Sequence, residues 1–163
     1  MRAIRLEKVV LHACSADPGL REKYKKLLEW ITGKKACLVK AKKRIPAFKI
    51  KRGIELAYKV TLRGEEAKVL LKKLLEGINN TLSSKQVQDG MVSFGIKEYI
   101  QIPGLSFNRD LGILGFDVTA TFARPGYRVE RRKIKKGKVA RRHKVNQQEV
   151  IEWLRREFGC KIE

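Results

Sequence analysis

The stretch "ELAYKVTLRG", residues 55–64, sets apolar Leu56, Tyr58, Val60 and Leu62 against polar Lys59, Thr61 and Arg63. A period of two is that of a β-strand with one face buried and one face wet. The period changes directly afterwards. From Glu65 to Asn80 the apolar residues Val69, Leu70, Leu74 and Ile78 return at helical spacing, which predicts a helix. A one-sided strand running into an amphipathic helix is the unit from which the rest of the fold reads.

Upstream, "IRLEKVVLHAC" (residues 4–14) is β-branched and partly alternating, so it reads as a strand. "SADPG" breaks it, with Asp17 as an N-cap and Pro18 where a first helical residue tolerates a missing N–H. Leu20, Tyr24, Leu27, Leu28 and Ile31 then form one helical stripe, and Gly33 supplies the stop. "ACLVK" (36–40) predicts a second strand. Downstream, "MVSFGIKEYIQIPG" (91–104) predicts one or two strands and "GFDVTATFARPG" (115–126) another. Asn146 as N-cap, Glu149 as its capping-box partner, a stripe of Val150, Trp153, Leu154 and Phe158, and Gly159 as stop predict a terminal helix over 146–158. The expected class is α+β: an antiparallel or mixed sheet with helices packed on one face, treated as one domain over residues 1–163.

Charge dominates the composition. Lys and Arg number 38 against 17 acids, a net charge of +21. The excess is concentrated. Residues 34–52 hold nine cations and no acid, and "KAKKRIPAFKIKRG" (40–53) reads as a long loop between two strands, where Pro46 disfavours both helix and ladder. Residues 124–144 hold eleven cations and one acid, Glu130, with little to build a core, and read as an arm that is extended or irregular when unbound. Self-repulsion of this kind points to a polyanionic partner. No apolar run approaches the roughly 18 residues of a membrane helix, and the first residues lack a secretory h-region, so nucleic acid is expected rather than membrane. Phe48, alone in its basic loop, is either a platform for a base or an anchor folding back on the sheet. The strand face Lys59, Thr61, Arg63 either meets nucleic acid or simply faces solvent.

Catalytic and metal chemistry finds little support. Cys14, Cys37 and Cys160 are odd in number and widely spaced, which suits free thiols better than a disulfide framework or a zinc ribbon. His12 and Cys14 are too few for a metal site and lack an orienting third group for thiol catalysis. His143, between Arg142 and Lys144, reads as a neighbour of phosphate rather than a general base. There is no phosphate-cradling glycine loop; "GILG" (112–115) is turn chemistry. No cofactor, metal or enzymatic activity is expected. An RNA-modifying enzyme or nuclease using His12 or Cys14 is the rival from another class, and a free-standing RNA chaperone the rival within RNA binding.

Four blocks in order, "LEWITGKKACLVKAKKRIPAFKIKRG", "YKVTLRGEEAKVLLKKLL", "SFGIKEYIQIPG" and "GILGFDVTATFARPGYRV", closely resemble the ribosomal protein L-five family of the large subunit, over nearly the whole chain. The basic arm and the closing "HKVNQQEVIEWLRREFG" are similar to its archaeal branch, itself similar to eukaryotic relatives called L-eleven. The resemblance implies a cytoplasmic, ribosome-bound structural protein whose sheet faces 5S rRNA in the central protuberance. It implies rRNA contacts at His12, Lys34, Lys35, Thr61 and Arg63, joined by Arg124, Arg128, Arg131 and Arg132 of the arm. It also implies that the loop over 45–53 approaches P-site tRNA, with Lys42, Lys43, Arg44, Phe48, Lys49, Lys51 and Arg52 as contacts. Further implied partners are large-subunit rRNA, neighbouring proteins of the protuberance, and a small-subunit protein at the intersubunit bridge, served by "IPGLSFNRD" (102–110). This chain departs from the family at "LH" (11–12), where relatives usually have "VN", and at "TGKKA" (32–36), where they have "TGQKP". An imidazole still donates to a phosphate or base, and Lys34 exchanges amide readout for a point charge.

Overall fold

The computed structural model describes all 163 residues. In chain order the elements are β1 (Arg5–Cys14), α1 (Pro18–Thr32), β2 (Cys37–Lys40), β3 (Glu55–Leu62), α2 (Glu65–Glu76), β4 (Thr81–Leu82), β5 (Val87–Gln88), β6 (Met91–Ile96), β7 (Phe116–Ala123), the single turn α3 (Arg128–Arg131), α4 (Gln147–Phe158) and β8 (Lys161–Ile162). Six strands form one sheet in the order β2-β3-β1-β7-β6-β5, with β2 antiparallel to β3 and β5 antiparallel to β6; β4 and β8 make a separate parallel pair. The fold class is α+β, as the alternation of periods predicts.

The backbone divides into two compact units, and the boundary falls within β1, β3, β6 and β7. The unit built from Met1–Val9, Leu62–Phe94 and Thr119–Glu163 carries the basic arm. Here α2 buries Ala67, Leu70, Leu71, Leu74 and Leu75, a stripe at i, i+3, i+4, i+7 and i+8. Each of those leucines contributes about 1.5–3 kcal/mol by leaving water. Val69, expected on that side, is 59 % exposed, because it sits about 200° round the helix from Ala67. The helix also stops at Glu76, short of the expected Asn80: Asn79 and Asn80 take left-handed φ of 56° and 54° and turn the chain into β4. Helix α4 ends as anticipated, with Asn146 N donating to Glu149 Oε2 at 3.0 Å and Gly159 in the left-handed region at φ 64°. Its Trp153 ring packs 5.0 Å from Phe122 of β7 and 5.6 Å from Phe158.

The unit built from Val10–Thr61 and Gly95–Val118 carries the basic hairpin. Asp17 caps α1 by accepting from Gly19 N at 3.0 Å, and Gly33 closes it at φ 64°, its N–H bonding the Glu29 carbonyl. Leu27 and Leu28 are fully buried, while Leu20, at the start of the predicted stripe, is exposed. Residues 91–104 supply one strand, and the remainder turns through a 3-10 segment at Tyr99–Gln101. Tyr99 is fully buried; its hydroxyl accepts from Asn108 N at 2.8 Å and its ring meets Trp30 edge-on at 6.0 Å. Gly115 is more than turn chemistry. A Cβ there would lie 2.5 Å from the Lys97 carbonyl oxygen, so only a glycine fits.

Candidate nucleic-acid interface

In the hairpin-bearing unit the β2–β3 ladder pairs Cys37 with Lys59 and Leu38 with Tyr58. It does not end at Lys40. Ala41 N donates to the Ile54 carbonyl at 2.8 Å and Gly53 N to the Ala41 carbonyl at 2.9 Å; Ile45 and Ile50 then exchange hydrogen bonds of 2.9 and 3.1 Å. A 3-10 turn at Pro46–Phe48 and Lys49 at φ 54° complete the tip. The expected long loop is therefore a structured hairpin, because backbone pairing satisfies its amides where side chains cannot form a core.

All six of its predicted cations, Lys42, Lys43, Arg44, Lys49, Lys51 and Arg52, are exposed, and none has a carboxylate partner. Phe48 is 73 % exposed, which removes the anchor reading. Lys34 and Lys35 project from an ordered turn after α1, where Thr32 Oγ1 donates to the Leu28 carbonyl at 2.6 Å and Glu29 Oε1 accepts from Ala36 N at 3.0 Å. His12 and Thr61 are half-buried on adjacent strands, at positions alternating with buried Leu11, Ala13, Val60 and Leu62. Both therefore point to the opposite faces of their strands from those four residues. Cys14 and Cys37 are exposed free thiols.

In the arm-bearing unit Arg63 is exposed, but the arm's arginines are not equivalent. Arg124 is a correction. Its side chain is only 10 % exposed; it pairs with Glu149 and donates to the Arg142 and Lys144 carbonyls at 3.2 and 3.4 Å. It fastens the arm to α4 instead of facing a phosphate. Arg131 makes a two-pronged pair with Glu7, one bond at 2.6 Å, and its guanidinium lies 5.9 Å from the Tyr127 ring centroid. That pair holds the Glu7 carboxyl below its ordinary range, the Arg131 hydrogen bond outweighing partial burial. Arg132 donates to the Lys135 carbonyl at 2.6 Å, while Arg128 is exposed with no such engagement. His143 Nε2 bonds the Pro125 carbonyl at 2.7 Å and its ring lies 5.8 Å from Tyr127, so it braces the arm from within. The arm thus has more internal structure than its composition predicts.

Glu7 escapes a sequence reading that follows only the cations, yet it left a signal. It shares its strand parity with Val9, Leu11 and Ala13, and a carboxylate on an apolar parity requires a cation. No group of three or more His, Cys, Asp or Glu side chains converges as metal ligands would, and no helix is long and apolar enough to cross a membrane.

The sequence that builds this cationic α+β scaffold matches a known family in both halves of the chain. The family model described as "Ribosomal protein L5" matches residues 1–51, and the model of that ribosomal family's C-terminus matches residues 55–153. The chain is 43 % identical to the large ribosomal subunit protein uL5 of Nanoarchaeum equitans, over 99 % of this chain and 97 % of the relative. It is 41 % identical to that of Archaeoglobus fulgidus (94 % and 87 %) and 38 % identical to that of Sulfurisphaera tokodaii (99 % and 93 %). These relatives define a class, proteins of the large ribosomal subunit. The chain belongs to the ribosomal protein L5 family.

Proposed function

We propose that this ribosomal protein binds 5S rRNA in the central protuberance and touches P-site tRNA through the hairpin over 45–53. The observation that carries the division of labour is the hairpin itself: six unpaired cations and an exposed phenylalanine on a backbone-braced tip, with no acid among residues 34–52. Such a tip neutralises phosphates by charge and offers one aromatic face for stacking. His12, Lys34, Lys35, Thr61 and Arg63 form the 5S set, joined by Arg128, Arg131 and Arg132 of the arm; Arg124 serves by holding the arm in place. Recognition of paired RNA rests on shape and phosphate positions, with little reading of base edges. The 102–110 segment, braced by Tyr99 on Asn108, suits the bridge to a small-subunit protein.

The test compares two variants of the purified protein. Changing Lys42, Lys43 and Lys49 to Ala leaves 5S rRNA retention on filters within about twofold at matched salt, while reconstituted subunits lose P-site tRNA occupancy. Changing Thr61 and Arg63 to Ala does the reverse. Equal collapse of 5S binding in both variants would discard the division.

A further inference from the structure

In the arm-bearing unit a cleft of about 590 Å³ is lined by Asp89, Tyr127, Glu130, Arg131, Arg141 and Lys144, among others. Beside it lies a smaller recess of about 390 Å³ lined by Arg128, Arg131 and Arg132 alone. Arg131 is common to both and is paired with Glu7. The two recesses differ in chemistry. The smaller has only arginines in its lining and no acid, which suits a phosphate. The larger mixes two carboxylates with cations and an aromatic wall, so a phosphate placed there would meet Asp89 and Glu130 as like charges.

What those carboxylates accept is N–H. Asp89 already takes Gln147 N on Oδ1 at 3.0 Å and keeps its other oxygen; Glu130 makes no ion pair. Exocyclic amino groups of guanine, adenine or cytosine answer that need, whereas uracil has no amino group and offers only its ring N3–H, flanked by two carbonyls that a carboxylate repels. Tyr127 is held as a rigid wall, its hydroxyl donating to the His143 carbonyl at 3.4 Å and Arg131 lying over its ring. The cleft's volume falls within the range of small-ligand sites, about 300–1,000 Å³. Single RNA bases are read in this way only when splayed out of a stack.

We propose that this pair of recesses captures one unstacked, amino-bearing nucleotide of RNA, its base in the cleft against Asp89 and Glu130 and its phosphate among Arg128, Arg131 and Arg132. This rests on the reading that the chain binds RNA, and it adds base discrimination to an arm otherwise expected to bind phosphates indiscriminately.

The experiment titrates nucleoside 5′-monophosphates into the ¹⁵N-labelled full chain and follows the amides of Gly90 and Asn146, which also line the cleft. The expected result is saturable shifts with GMP, AMP or CMP and about tenfold weaker binding of UMP, the worth of one charge-assisted hydrogen bond. Glu130→Gln should narrow that preference, and Arg128→Gln should weaken the monophosphates while leaving the free nucleosides unchanged. Equal binding of UMP, or shifts reproduced by inorganic phosphate alone, overturns the proposal. Filter binding of 5S rRNA by the same preparation separates the two readings. Retained 5S binding with no base preference overturns this inference alone. Loss of 5S binding with nucleotide preference intact overturns the 5S assignment and supports the cleft.

Discussion

Replacing Glu149 with Ala tests the view that Arg124 is a fastening and not an RNA ligand. The Arg124 side chain is 10 % exposed and that of Glu149 34 % exposed, and Arg124 Nε has no partner at all. Without the carboxylate, a nearly buried guanidinium keeps only two backbone carbonyls at 3.2 and 3.4 Å. Breaking a fully buried pair costs about 3–5 kcal/mol, and water reaching the partly exposed Glu149 side reduces that to roughly 2–3. The same substitution removes the acceptor for Asn146 N at the start of α4, worth about 1 kcal/mol more. The expected loss is therefore about 3–4 kcal/mol. For a chain of this size that lowers Tm by roughly 6–15 °C. Arg124→Gln should be milder, about 1–2 kcal/mol, because the stranded carboxylate is the more hydrated partner and still accepts from Asn146 N. Urea unfolding with an unchanged m-value, checked by differential scanning calorimetry, measures both. The affinity of Arg124→Gln for 5S rRNA should keep the wild-type salt slope, since no phosphate contact is lost. Equal destabilisation by the two substitutions, or a salt slope reduced by about one in Arg124→Gln, refutes the reasoning.

Phe48→Ala should leave stability within about 0.5 kcal/mol, since the ring is 73 % exposed, yet weaken binding of the hairpin's RNA partner by about 1–3 kcal/mol, or roughly 5- to 150-fold; unchanged affinity would show that the ring does not stack. Glu7 titrates below its ordinary range when folded, so the stability it contributes is present above the unfolded pKa, about 4.3, and is lost as pH falls through the lower folded value. Wild type should accordingly shed more stability than Glu7→Gln between about pH 5 and 3, followed by urea midpoints; parallel pH curves would show that the Arg131 pair contributes nothing.

The elements were legible because local rules govern them. Period-two alternation marked β3, Asp17 and Gly33 bounded α1, and Asn146, Glu149 and Gly159 bounded α4. The concentration of unopposed charge in two segments was legible for the same reason, and with it the polyanionic partner. Membership of the family followed from the order of four blocks.

Long-range pairing was not legible. The phase of α2 failed at Val69 because five other side chains made the wider buried stripe, a matter of which neighbours pack on it. The hairpin tip looked formless because its order lies in backbone hydrogen bonds, Ala41 with Ile54 and Ile45 with Ile50, that any residue types could make. Above all, composition counts Arg124, Arg128 and Arg131 as three equal cations. Folding separates them: Arg124 is brought to Glu149, 25 positions on, and Arg131 to Glu7, 124 positions back, while Arg128 stands exposed without a carboxylate partner. Charge is a property of the side chain and can be read from the chain alone. Its availability depends on which opposite charge the tertiary fold sets within reach, and separations of that length carry no local signature.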